Sequence, residues 1–109
     1  MTSNLVHFEL PVPDTQKGQE FYGRLLGWEF QDWDGYLMVG GASPTGAVME
    51  GNGGHPVVYF NTDDIDASVA RVRDLGGTSD EPQDIPEVGR YTNCKDDQGT
   101  AFGLFQGAA

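Results

Sequence analysis

His7 and Glu9 lie two residues apart in Leu5-Val6-His7-Phe8-Glu9-Leu10-Pro11-Val12, a run whose alternation reads as a β-strand. In an extended chain, alternate side chains share a face, so His7 and Glu9 point one way while Val6, Phe8, Leu10 and Val12 point the other. An imidazole and a carboxylate on one strand face can ligate zinc, iron or manganese, or exchange protons with a bound molecule. Other chemistry is harder to find. No Ser-His-Asp or Cys-His arrangement is legible, and no glycine-rich turn carries the lysine and spacing of a phosphate loop. Cys94 is the single cysteine, which leaves no intrachain disulfide and reads as a partly buried strand residue.

The elements that position His7 and Glu9 follow in order. Asp14-Thr15 caps a helix that runs through Leu26, with Phe21, Tyr22, Leu25 and Leu26 at helical spacing and Gly27 as its stop. Strand-like runs follow at Trp28–Trp33, Gly35–Val39 and Gly46–Glu50, divided by Asp34-Gly35 and by Gly40-Gly41-Ala42-Ser43-Pro44. This is a βαβββ order over about residues 1–50. A glycine-rich joint, residues 51–56, precedes a second copy over about residues 57–109. Its parts are a strand at Val57–Thr62, a helix capped by Asp63-Asp64 with Ile65, Val69, Val72 and Leu75 on one stripe, and three strands around Glu81–Val88, Arg90–Lys95 and Thr100–Gln106. Pro13-Asp14 against Thr62-Asp63 and Leu25-Leu26-Gly27 against Asp74-Leu75-Gly76 match at one offset, an internal repeat. The expected fold is α+β: one domain, residues 1–109, in which two βαβββ modules carry their helices outside and their curved mixed sheets form a cleft.

With 17 acidic and six basic residues the chain has a formal net charge of −11. Such a charge repels nucleic acid and anionic membranes and attracts cationic small molecules. No apolar run approaches the ~20 residues of a membrane helix, and the opening Met1-Thr2-Ser3-Asn4 lacks the features of a signal peptide. A cytoplasmic setting is expected.

The stretches "VHFELPVPDTQKGQEFYGRLLGWEF", "YFNTDDIDASVARVRDLGGT" and "GRYTNCKDDQGTAFGLFQ" resemble the vicinal oxygen chelate superfamily, the group of glyoxalase I, bleomycin resistance proteins, fosfomycin resistance enzymes and extradiol dioxygenases. In the last stretch Asp97-Gln98-Gly99 stands where the family has an Asp-Pro-x-Gly turn. The resemblance implies a metal ligand at His7, a second at Glu50 or its neighbour Met49, a third at Pro56 or Val57, and a last carboxylate at Gly103. Two of these positions hold no ligating side chain.

The expected protein is therefore a metal-independent small-molecule binder of the drug-sequestering kind, without a cofactor and working as a homodimer. Its ligand site would be lined by His7, Glu9, Val57, Tyr59, Arg90, Gly103 and Phe105, with Gly103 opening volume or else permitting close approach between packed strands, and Arg90 anchoring an anionic group or else forming a surface salt bridge. Trp28 and Trp33 serve as a wall or as packing. The alternative is a glyoxalase-like lyase, isomerase or dioxygenase whose divalent metal is held by His7, Glu50 and a displaced His55.

Overall fold

A computed structural model describes residues 2–51 and 54–108, so Asn52 and Gly53 of the expected glycine-rich joint lie outside the described residues. The chain divides into two compact units, His7–Val57, and Met1–Val6 with Val58–Ala109. Each carries one helix and a mixed sheet.

In the first unit, β1 (Leu5–Val12) is followed by α1 (Thr15–Leu26), β2 (Glu29–Trp33), β3 (Tyr36–Gly40) and β4 (Thr45–Glu50). The sheet order is β2-β3-β4-β1, parallel between β1 and β4 and antiparallel elsewhere. Asp14 caps α1 by accepting from the Lys17 amide, and Gly27 ends it in the left-handed region at φ 71°. A β-carbon is disfavoured there. Leu37, Val39, Ala47 and Val48 form the buried part of the sheet. The helix meets it through Gly18, where an added Cβ would stand 3.1 Å from Val12 and Val48. The expected apolar stripe does not provide this contact: Phe21, Leu25 and Leu26 remain 61%, 65% and 49% exposed. The close face of α1 is Thr15, Gly18 and Tyr22, and a small residue at its centre lets helix and sheet approach.

The second unit contains β5 (Val57–Asn61), α2 (Ile65–Asp74), β6 (Thr78–Ser79), β7 (Gln83–Ile85), β8 (Gly89–Lys95) and β9 (Ala101–Gly107). Here β5 pairs with β9 in parallel, β9 with β8 antiparallel, and both β6 and β7 with β8. Of the expected strand at Glu81–Val88 only β7, Gln83–Ile85, forms, and β6 lies before that span. Pro82, between them, has no amide to offer the ladder. Ile65 and Val69 of α2 pack with Cys94 and Leu104, flanked by Phe60, Val72 and Phe102. Leu75, expected on the same stripe, is 62% exposed.

The repeat is real but not of one offset. The N-caps Asp14 and Asp64 are 50 positions apart, whereas the left-handed glycines Gly27 and Gly76 are 49 apart, so the second helical segment is one residue shorter. The N-cap offset makes Val57 and Tyr59 the counterparts of His7 and Glu9. Among the described residues, no helix is long and apolar enough to cross a membrane.

Candidate functional site

The faces of the first sheet follow from register. Phe8 pairs with Gly46 and Leu10 with Val48, and Val48 touches α1 at Gly18, so this set lies toward the helix. The alternate set, with His7 opposite Thr45 and Glu9 opposite Ala47, lies on the face away from the helix. Met38 pairs with Ala47, and Tyr36 is two residues back along β3, so Tyr36 shares that face.

These residues form a connected polar chain. His7 Nδ1 is 2.8 Å from Thr45 Oγ1, and His7 Nε2 is 2.8 Å from Tyr36 Oη. The Tyr36 hydroxyl donates to Glu9 Oε2 at 2.7 Å. The His7 and Tyr36 rings lie end to end, with centroids 6.4 Å apart and planes at 18°. Burial pushes the pKa of His7 below its ordinary value of 6.5, and the nearby Glu9 charge offsets only part of this. The neutral imidazole is therefore the resting form at neutral pH.

A divalent metal is implied by the resemblance, and these residues do not fit one. Both ring nitrogens of His7 already face hydroxyl groups at hydrogen-bonding distance. The neighbour of His7 on β4 is Thr45, while Glu50 stands opposite Val12 on the helix side of the sheet, five residues or roughly 16 Å farther along. Met49 shares the face of His7 but stands opposite Pro11. His55 is exposed in the segment before β5. Among the described residues, no three His, Cys, Asp or Glu side chains gather as a metal ligand set. The alternative set His7, Glu50 and His55 does not come together, because strand register and pleat separate its first two members.

In the second unit, Tyr59 pairs with Gly103, and its hydroxyl donates to Asn93 Oδ1 at 3.0 Å. A Cβ added at Gly103 would overlap the Tyr59 ring. The expectation that Gly103 opens volume is corrected: the ring already fills that space, and the glycine permits the packing. Phe105 lies on the same face, opposite Asn61 and Tyr91, and half-buried Val57 shares it by alternation along β5.

Arg90 is on the other face of β8, with Thr92 and Cys94, toward α2. Its guanidinium holds Asp66 through contacts of 2.9 and 3.3 Å and Asp84 through one of 2.9 Å. The Arg90 hydrogen bond holds the Asp66 carboxyl below its usual range. An anion anchor is thus not what Arg90 supplies; it ties β7 to the first turn of α2. Cys94 is buried, and burial pushes its thiol pKa up, which disfavours the reactive thiolate. Trp28 joins an aromatic cluster with Phe8, Tyr22 and Phe30, whereas Trp33 is 50% exposed. A shallow cavity of about 450 Å³ lies between α1 and β2, beside Gln16, Gln19, Arg24, Trp28 and Phe30, and includes none of the expected ligand residues.

Tyr36 and Thr45 are the members of this polar chain that sequence reasoning missed. A partial signal existed for Tyr36, because the Asp34-Gly35 turn fixes its pairing with Trp33 and hence its parity. Thr45 needed the non-local register of β1 with β4.

The family model described as Glyoxalase/Bleomycin resistance protein/Dioxygenase superfamily matches residues 4–104. The Mycobacterium bovis protein named "Putative glyoxylase CFP32" is 32% identical over 118 residues, covering 98% of this chain and 45% of that protein; the protein of the same name from Mycobacterium tuberculosis gives the same values. The chain thus spans a little under half the length of these curated relatives. Among solved structures, methylmalonyl-CoA epimerase from Mycobacterium tuberculosis is similar with a TM-score of 0.70 and 18% identity, over 96% of this chain and 88% of that one. A hypothetical protein from Bacillus halodurans C-125 gives 0.76 and 12%, over 100% and 97%. At these identities the structures show a common fold, the α+β fold that the sequence resemblance implied.

Proposed function

The chain belongs to the Glyoxalase/Bleomycin resistance protein/Dioxygenase superfamily, and on that premise we propose that it binds a small molecule without a resident metal. The observation that carries the proposal is the engagement of both His7 ring nitrogens, by Thr45 and by Tyr36, in the position where the family resemblance implies a metal ligand. A histidine so held is a hydrogen-bonding group of a polar platform. Of the remaining expected ligand-site residues, Tyr59 and Gly103 are buried against each other, while Val57 and Phe105 are half-buried. The net charge of −11 favours a cationic ligand by long-range attraction, in keeping with a drug-sequestering role. The proposal takes the working form to be a homodimer, since Phe21, Leu25 and Trp33 remain exposed on the single chain.

The test is elemental analysis of the purified protein, followed by calorimetric binding of cationic drugs with and without chelator. No stoichiometric metal and binding unchanged by chelator are expected. One metal per chain, lost in His7→Ala, would overturn the proposal. That outcome would favour the second reading, a glyoxalase-like metal enzyme, to which the name of the mycobacterial relatives points.

A further inference from the structure

The cavity between α1 and β2 has an aromatic floor. Trp28 and Phe30 are half-buried, with ring centroids 6.3 Å apart and planes at 76°, so the two rings make a corner. Phe30 pairs with Val39, and Val39 with Gly46 beside Phe8, which puts the corner on the helix side of the sheet. Gly23 of α1 stands over it. A Cβ added there would meet the Trp28 carbonyl oxygen at 3.3 Å and Phe30 Cε2 at 3.6 Å, so the glycine keeps the rings uncovered. Glycine is unfavourable inside a helix, and this one leaves room where a ligand would lie.

The rim on α1 is polar and carries one charge of each sign. Gln16, Glu20 and Arg24 recur every four residues and form one row of the helix, with Gln19 beside them. Arg24 Nη1 approaches Glu20 Oε1 at 3.4 Å, and the two side chains are 81% and 70% exposed. An ion pair so long and so open contributes little and separates easily.

We infer that this cavity binds an α-amino acid with a ring-bearing side chain, its ammonium on Glu20, its carboxylate on Arg24 and its ring in the Trp28–Phe30 corner. The charges decide the class. A ligand that is only a cation would take Glu20 and leave Arg24 without its partner, and a ligand that is only an anion would do the reverse. A zwitterion replaces the pair charge for charge, and each new contact is charge-assisted. The Arg24 fork can receive a carboxylate through two N–H groups. The ligand ring leaves water against two aromatic side chains set at an angle that suits edge-to-face contact. A volume of about 450 Å³ suits a small molecule, and the shallow form sets the affinity at about the millimolar level. The site lies on the side of the sheet opposite His7 and Glu9, so it does not rest on the reading of that face.

The test is an NMR titration of the intact chain with L-phenylalanine, and with phenethylammonium and hydrocinnamate, which keep the ring but lack one charge each. The Gly23 amide and the Trp28 indole N–H, the latter identified with Trp33→Phe, report on the cavity. L-Phenylalanine should move both signals at millimolar concentration, and each one-charge analogue should bind there about fivefold more weakly or worse. Glu20→Gln and Arg24→Gln alter only exposed side chains. Each should weaken L-phenylalanine about fivefold and abolish its preference over the analogue that lacks the charge the variant no longer pairs. No shift of the cavity signals, equal binding of the three probes, or unchanged binding in either variant would overturn the proposal. Shifts confined to Glu9 and Thr45 would also overturn it, by placing the ligand on the opposite face. None of these outcomes bears on metal content, so they are separable from failure of the metal-free reading.

Discussion

The two modules repeat one backbone plan, yet they use corresponding positions differently on the sheet face away from the helix. In the first, His7 and Glu9 are linked through Tyr36 and Thr45 into a polar chain. In the second, the counterparts are Val57 and Tyr59, and the Tyr59 ring lies over Gly103 where the first module has Glu9 beside Ala47. One face is built for hydrogen bonding and the other for close packing. The difference teaches that the βαβββ repeat fixes where side chains point, while chemistry depends on substitutions within that frame.

The sharpest way to break the contrast is to enlarge Gly103. Gly103→Ala should destabilise the protein by about 2–3 kcal/mol, since the new methyl meets a ring in a buried sheet, and Gly103→Glu should do more. Thermal or urea unfolding measures this. Gly40→Ala, whose Cβ would find its nearest neighbour at 3.5 Å, serves as the control. Equal midpoints for the two alanine variants would show that Gly103 is no packing site.

A milder comparison removes one hydroxyl from each module. Tyr36→Phe takes away the link between His7 and Glu9 and should cost about 1–2 kcal/mol. Tyr59→Phe removes a bond to Asn93, an exposed residue that water can satisfy, and should cost less. The reverse order in denaturant unfolding would contradict the assignment of the polar chain to the first module.

Acid should act on the first module through His7. Its native pKa is lowered, so the unfolded chain binds the proton more readily than the fold does. Stability is then fully present above about 6.5 and declines as pH falls from that value toward the lower native pKa. His7→Gln should flatten this part of the stability–pH curve. If the native curve has no such slope, the ring is not held neutral by burial.

The smallest effect should come from Arg90→Ala. Its partners Asp66 and Asp84 are 69% and 78% exposed, so solvent screens the pairs. Its unfolding midpoint should shift less than that of Tyr36→Phe, and ligand binding should not change. A loss of anionic-ligand binding would restore Arg90 to the site.

The sequence made much of this architecture legible because its signals were local. Asp14 and Gly27 bound α1 by cap chemistry, and period-two alternation put His7 and Glu9 on one face before any pairing was known. The site was less legible because it depends on register. Nothing near His7 in the chain announces Thr45, 38 residues away, or separates Glu50 from His7 across the sheet. Arg90 was misplaced for another reason: its scarcity as a cation outweighed its parity with Thr92 and Cys94, which already set it on the helix side. Gly103 was misread because an absent side chain looks like space until the neighbouring ring is located.

On the proposed reading His7 is a hydrogen-bonded group and not a metal ligand. This is tested most directly by a crystal structure grown with excess zinc, with an anomalous difference map calculated at the zinc edge. The account predicts no peak beside His7, with its two ring nitrogens still facing Thr45 and Tyr36. A peak at about 2.0–2.1 Å from either nitrogen, with the hydroxyl partner displaced, would contradict it.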